Sequence, residues 1–365
     1  MNNISIKNLL ILFTVKILKL IQKKSVKGTS LNYFIVSTTA LGDTLWATPA
    51  IRLLKEQNPG SKIFVLVTKT GQEVLKNNPY IHKIITLNKP FLWSLLEIYN
   101  DLKNVYFNKI LIFHTSQRII LPFCYLLHSD EIAATTGINK GFDYLVSNKL
   151  VPSYEHEIVR RLRIAAIDYI NKNLIMEIFP DNKAELEAVS FLKKHCPLKK
   201  IIIGIHPGAT NNYKMWPIDR YLELVCLLKR TFDCYIIVTG SQNERMLAEK
   251  ITSSITESFF LDEPMSIHAI GSLIKKFDLF ITNDTGPMHL AFASLTKSIA
   301  LFAPTDAHLV GPLNVDNSMV IQKEKTCLPC IKKNCLNPFC MLQISPQEVV
   351  NCAIKLLKPN LLPKS

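Results

Sequence analysis

Three junctions where an apolar run gives way to a polar turn hold the residues best suited to chemistry. One is Ile281-Thr282-Asn283-Asp284-Thr285-Gly286-Pro287-Met288-His289. Its spacing predicts a buried strand ending at Thr282 and a helix beginning near Pro287, since proline suits a first helical position where an N–H would lack a partner. Asp284 or Thr285 can cap that helix, and Gly286 admits a ligand close to the backbone. Unpaired N–H groups and the positive end of a helix dipole make an anion cradle suited to pyrophosphate; the same residues also fit a plain capped helix. A second junction is Ser37-Thr38-Thr39-Ala40-Leu41-Gly42-Asp43-Thr44. Asp43 there is placed either for general-base work, which needs an ionised carboxylate beside an acceptor hydroxyl, or for helix capping. The loop lacks G-x-G-x-x-G, which weighs against a nicotinamide dehydrogenase. The third is His206-Pro207-Gly208-Ala209-Thr210, followed by Lys214-Met215-Trp216-Pro217. A lysine on such a loop can neutralise charge developing on a phosphate leaving group. His206 reads as a hydrogen-bonded structural residue, because the motif supplies no positioned partner.

These junctions need strands and helices to hold them. Strands are expected at Tyr33–Ser37, Ile63–Val67, Lys83–Leu87 and Lys109–Phe113, with helices near Thr44–Gln57 and Phe91–Asn104. Farther along, strands are expected at Ile201–His206, Tyr235–Thr239, Ser258–Leu261, Leu279–Thr282 and Ser298–Phe302. Helices are expected at Ile218–Thr231, Asn243–Ser253, Ile267–Lys276, Pro287–Ser294 and Pro346–Lys358. Continuous apolar strands joined by crossover helices predict parallel sheets covered on both faces. The turn-rich stretch Asn171–Asn182 is the expected linker. The reading is α/β: an N-terminal helix over residues 1–27, a Rossmann-like acceptor-side domain over 28–178 and a Rossmann-like nucleotide-sugar domain over 179–365. The two doubly wound domains are expected to face each other across a cleft, with ligands outside the carboxyl ends of their strands.

Composition narrows the class. The chain has 365 residues, 48% hydrophobic and 20% charged, as globular proteins do. Nine cysteines are too few for a disulfide scaffold, and their odd number suits a reducing compartment. Cys327, Cys330, Cys335 and Cys340 follow C-x2-C-x4-C-x4-C, which departs from the paired C-x2-C of a zinc ribbon. Buried, redox-inert thiols are the default, with zinc as the alternative. No uninterrupted apolar run of about 18–20 residues exists. A formal charge of +14 calls for an anionic partner. Zinc-finger spacing, an RNA-recognition motif and an aromatic-interleaved basic stripe are all missing, so nucleic acid is not expected. Leu9 to Ile21 is apolar around Lys16, Lys19 and Lys23, which share one helical face. Such a helix either lies in a membrane interface with its lysines near lipid phosphates or packs on the protein's own body. It reads poorly as a secretory signal, since only Lys7 precedes the apolar run and no small-residue cleavage site follows.

Taken in order, the motifs resemble the bacterial glycosyltransferase family that contains the ADP-heptose:lipopolysaccharide heptosyltransferases, glycosyltransferase family 9. The match runs through Leu41-Gly42-Asp43 with Pro49-Ala50, His156-Glu157 with Leu162, and His206-Pro207-Gly208-Ala209 with Lys214 and Trp216-Pro217. It continues through Thr239-Gly240-Ser241 with Glu244, Asn283 to Ala291, Pro304-Thr305-Asp306 and the cysteine-rich tail. The resemblance implies a two-domain GT-B fold and a metal-independent, inverting transfer without a cofactor. It implies ADP-heptose as donor and the inner core of lipopolysaccharide as acceptor. That acceptor is a phosphorylated glycolipid at the cytoplasmic face of the inner membrane, where this protein would sit peripherally on an anionic surface.

By the same resemblance, Asp43 matches the general base and Lys214 the residue that stabilises the departing diphosphate. Thr285 and Gly286 match the phosphate cradle, Asp284 a position near the donor sugar, and Glu244 one that holds the nucleotide ribose. His289 is either donor-proximal or fixes its helix, and Thr210 belongs with the donor side. Arg118, after the fourth strand, either meets an acceptor carboxylate or phosphate bidentately or is a surface arginine; Gly42 joins it on the acceptor side. Arg160, Arg161 and Arg163 form a basic cluster expected on a solvated or lipid-facing helix face. Two other readings stay open: a transferase of the family using another nucleotide sugar, and a non-catalytic peripheral membrane protein that keeps the fold.

Overall fold

The computed structural model describes residues 6–22, 25–313, 316–331, 335 and 338–357, and Lys23 and Lys358 fall outside them. The chain divides between Leu174 and Ile175 into two compact units.

The first unit is built on a six-stranded sheet. Its strands are β1 (Asn32–Thr38), β2 (Lys62–Val67), β3 (Lys83–Thr86), β4 (Tyr106–Thr115), β5 (His128–Thr135) and β6 (Asn148–Leu150). All neighbours pair in parallel, in the order β3-β2-β1-β4-β5-β6. β1 is buried from Tyr33 to Thr38, which is why it reads as one continuous apolar run rather than an alternating one. Phe34 lies opposite Phe64 and stacks on Phe107 at 5.2 Å between ring centroids. β1 and β4 shift register between Val36 and Ser37, at the end where the functional loops leave.

The second unit repeats the plan. Its strands are β7 (Ile201–His206), β8 (Cys234–Val238), β9 (Ser258–Phe260), β10 (Leu279–Asn283), β11 (Ser298–Phe302) and β12 (Ser318–Gln322). They form a second parallel sheet in the order β12-β11-β10-β7-β8-β9. Helix Ile218–Thr231 covers it by burying Tyr221, Leu224, Val225 and Leu228, the i, i+3, i+4, i+7 stripe of a core-facing helix. In each sheet the strand order reverses beside the first strand, at β1/β4 and at β7/β10. The connections there diverge to opposite faces and leave a crevice at the carboxyl ends.

Several expected elements change. The single helix Thr44–Gln57 is two, Leu41–Leu45 and Thr48–Gln57, because Pro49 opens a new first turn. The helix expected from Pro287 begins one residue earlier, at Gly286, with Thr285 at the N-cap. β5, β6 and β12 add strands that the apolar pattern did not mark.

The N-terminal helix, α1 (Ile6–Ile21), packs on the first unit. Lys19 turns inward: its ammonium donates to the carbonyls of Leu126 and Leu127 at 3.2 and 2.8 Å and lies over the Tyr125 ring. For that lysine the self-packing alternative holds, because two backbone carbonyls at the end of helix Ile120–Leu126 take its ammonium. Burial lowers its pKa. At the other end Asn8 donates to the Lys140 carbonyl and accepts from Arg118. The outer face stays apolar and open at Leu9, Phe13, Ile17 and Leu20. No described helix is long and apolar enough to cross a membrane.

Candidate active site

In the first unit the β1/β4 switch point is closed by a polar knot. The Thr38 hydroxyl lies 3.0 Å from that of Thr115 and 2.7 Å from Gln117 Oε1, so the loops after the two strands are tied together. Asp43 sits on the short helix Leu41–Leu45, next to the buried Gly42. One carboxylate oxygen accepts from the Ala40 N–H at 3.3 Å, and the other faces Arg161 Nη2 at 3.4 Å. The side chain keeps 19% exposure, so an incoming hydroxyl can reach it.

Arg161 is the residue the sequence placed wrongly. It is fully buried, not on a solvated or lipid-facing face. Its guanidinium bonds the Glu157 carbonyl and carboxylate at 2.8 and 2.7 Å and stacks 5.2 Å from the Trp46 ring. A buried guanidinium persists only when it is paired in this way. Arg160, by contrast, pairs with Glu157 at the rim, and Arg163 with Glu155. His114, at the end of β4, completes the group. Burial holds its imidazole below the usual range, with Asp43 pulling upward and Arg161 downward.

The pairing predicts a stability cost. Arg161→Met removes the guanidinium from two carboxylates that are 16% and 19% exposed. The expected loss is about 2 kcal/mol, less than a fully buried pair costs because water still reaches both acids. Urea unfolding measures it, and Arg161→Met with Glu157→Gln is expected to recover part.

In the second unit Asn283, at the end of β10, gathers the loops. Its Oδ1 accepts from the Trp216 N–H and the Tyr221 hydroxyl, at 3.2 and 3.1 Å. Its amide donates to the carbonyls of Pro207 and Gly208 at 2.8 and 3.2 Å. The loop after β7 is thus pinned to the loop after β10 across the switch point. Lys214 crosses the same gap and pairs with Asp284 at 2.6 Å. The lysine side chain is 21% exposed and the aspartate 7%. Asp284, committed to Lys214, does not cap the following helix.

Thr285 does not cap it either. It is the N-cap residue of Gly286–Ala293 but makes no side-chain cap bond, and its Oγ1 is buried without a hydrogen-bond partner among the described residues. Amide hydrogens at the start of this helix and an unsatisfied hydroxyl therefore lie beside Lys214 and Asp284. That is donor chemistry suited to a phosphate oxygen. His289 is buried one turn on, against Phe292.

Glu244 stands on the other side of β7. Its carboxylate accepts from the N–H and hydroxyl of Ser241 at 2.7 and 2.8 Å. A Cβ at position 208 would sit 1.7 Å from Glu244 Oε1, so a larger residue there would push this carboxylate from its place against the loop. His206 is buried and 3.1 Å from the Thr239 hydroxyl; burial lowers its pKa and Glu244 opposes that shift. Thr210 is exposed on the same loop.

Thus the structure brings Lys214, Asp284, Thr285 and Gly286 to one place in the second unit, with Glu244 against the loop that carries Thr210. In the first unit it sets Asp43 and Gly42 against Arg161. Arg118 is exposed, 2.5 Å from Asn8 of α1, and lines a pocket at the carboxyl ends of the strands. Sequence reasoning missed the roles of Arg161, Glu157 and Asn283. The Glu157/Arg161 spacing of four was the available signal for the first pair. Among the described residues no three His, Cys, Asp or Glu side chains gather as a metal site. Cys327, Cys330 and Cys335 are half-buried, and burial raises the pKa of Cys340.

Comparison with known proteins finds a family model described as glycosyltransferase family 9 (heptosyltransferase) matching residues 133–340. A lipooligosaccharide heptosyltransferase 2 of Campylobacter jejuni is 27% identical over 338 residues, covering 89% of this chain and 98% of the relative. Two solved structures share the fold. A glycosyl transferase family 9 protein of Veillonella parvula superposes with a TM-score of 0.80 at 18% identity, over 92% of this chain and 100% of that one. An E. coli ADP-heptose LPS heptosyltransferase II superposes with a TM-score of 0.72 at 17% identity, over 91% and 100%.

Proposed function

This chain belongs to glycosyltransferase family 9, the heptosyltransferases of lipopolysaccharide core synthesis, has their GT-B fold and is a glycosyltransferase; from that premise we propose that it moves heptose from ADP-heptose to an inner-core acceptor, with inversion and without a metal ion. The observation that carries this reading is the helix start after β10. An uncapped N-terminus, the unsatisfied Thr285 hydroxyl and the Lys214 ammonium make a set of donors suited to a diphosphate.

Asp43 takes the proton from the acceptor hydroxyl as that oxygen bonds to the anomeric carbon. The bond from that carbon to the phosphate oxygen breaks in the same displacement, so the configuration inverts. The electron pair leaves with ADP, and Lys214 with the amide hydrogens of the helix start meets the growing charge. Asp284 holds Lys214 in place and borders the sugar. Glu244 accepts from the ribose hydroxyls, with Thr210 beside it, and His289 supports the cradle from below. Arg118 and Gly42 border the acceptor. The relative in E. coli is named for ADP-heptose, which supports the choice of donor. The +14 charge and the apolar outer face of α1 support a peripheral place at the cytoplasmic face of the inner membrane, against anionic lipid.

Calorimetry with ADP, UDP and GDP tests the donor. ADP is expected to bind at least about tenfold more tightly than either, a difference of about 1.4 kcal/mol. Equal binding would replace ADP-heptose with another nucleotide sugar, and no binding would favour a non-catalytic protein.

A further inference from the structure

α1 does not close down on the unit it packs against. Between it, helix Phe91–Leu102 and helix Ile120–Leu126 lies a cavity of about 530 Å³, walled by side chains such as Ile11, Leu18, Leu92, Leu95, Ile119 and Phe123. Its rim is as apolar as its walls: Leu10 is 63% exposed, Leu92 60% and Leu96 49%. Large aliphatic groups left open around an apolar hollow mark a place that something apolar fills, and the volume lies in the usual range for a small ligand.

A second pocket adjoins the first. It holds about 840 Å³ at the carboxyl ends of β2, β3 and β4, and the two share Ile119 in their walls. Lys69, Lys89 and Arg118 line it together with Ser116 and Gln117, and no carboxylate does. Arg118 also bonds Asn8, so the basic pocket and the helix over the apolar cavity are joined through one side chain. The inward ammonium of Lys19 secures the far end of that helix. A basic hollow beside a greasy one complements a molecule with an anionic head and an apolar tail.

We propose that the cavity beneath α1 is an acyl-chain site for the glycolipid acceptor, and that the adjoining basic pocket takes the anionic sugar head of the same molecule. This rests on the reading that the acceptor is lipid-linked. It adds that the enzyme grips one chain of that lipid within its own fold, rather than only lying against a bilayer. An acceptor stripped of its chains would then be a poorer ligand for a reason built into the first unit.

Alkyl phosphates supply both halves of the ligand and need no turnover to be read. Calorimetry on the full chain, below the micelle concentration, compares decyl with dodecyl phosphate, with inorganic phosphate and dodecanol as controls. Each methylene buried is worth about fourfold in binding, so dodecyl phosphate, two methylenes longer, is expected to bind roughly fifteenfold more tightly than decyl. Leu18→Glu on α1 and, separately, Leu92→Glu on the facing helix are expected to abolish that gain while leaving inorganic phosphate binding unchanged. Two variants on different helices guard against one that fails to fold. Equal binding of the two chain lengths, or a gain that survives both substitutions, would overturn the proposal. Dodecanol binding as tightly as dodecyl phosphate would overturn it also, because the two pockets would not act together. So would variants that release the protein from anionic vesicles yet keep the chain-length gain, since the face would then serve a bilayer. Failure to transfer heptose to a core acceptor is a separate result and tests the functional reading instead.

Discussion

Asp43→Asn is expected to lower kcat by about 10²- to 10⁴-fold, the range a positioned general base supplies. Asparagine keeps the shape of the carboxylate. Its side-chain oxygen can still face Arg161, which stands 3.4 Å from Asp43, so the fold of the first unit is retained. What disappears is the capacity to take a proton from an acceptor hydroxyl. Affinity for ADP is expected to stay within about twofold, because a group acting only in the transition state leaves ground-state binding alone. Asp43→Ala is expected to give the same loss. Steady-state rates beside calorimetric ADP binding check both variants. Parallel loss of rate and ADP affinity would remove the base role and make Asp43 a binding or folding residue.

Lys214→Ala carries the second large effect. Removing one preorganised donor from a developing oxyanion costs about 10²- to 10³-fold in kcat, and the affinity for ADP is expected to fall by less. The substitution also strands Asp284, which is 7% exposed and bonds Lys214 at 2.6 Å. Lost stability must therefore be separated from lost chemistry. Lys214→Ala with Asp284→Asn removes the stranded charge and is expected to restore the unfolding midpoint without restoring turnover. Recovery of both together would mean that the lysine serves only to balance the aspartate.

Much of the fold was legible because a strand buried in a parallel sheet writes itself as an unbroken apolar run. β7 and β11, read as Ile201–His206 and Ser298–Phe302, have those bounds in the structure. The strands that escaped notice break the pattern for physical reasons. β5 opens with His128, Ser129, Asp130 and Glu131, which lie toward the surface before the buried Ile132–Thr135. β6 is three residues long and β12 has exposed positions, as edge strands do. The candidate site residues divide in the same way. Lys214, Asp284 and Thr285 follow strand ends, and strand ends are visible in sequence. Arg161 was legible only in its spacing of four from Glu157; its second carboxylate is 118 positions away and only the folded first unit brings it there. Asn283 was hidden for a similar reason: its bonds to Trp216, Tyr221, Pro207 and Gly208 span two loops joined only by the order of strands in the sheet.

The central claim is that the helix start after β10 is where a nucleotide diphosphate is held. A crystal structure of the protein with ADP tests it most directly. The expected result is a phosphate oxygen within hydrogen-bond distance of Thr285 Oγ1 and the amide of Gly286, with Lys214 Nζ in ion-pair range of the diphosphate and the ribose near Glu244. A diphosphate bound away from Thr285 and Lys214 would contradict the account.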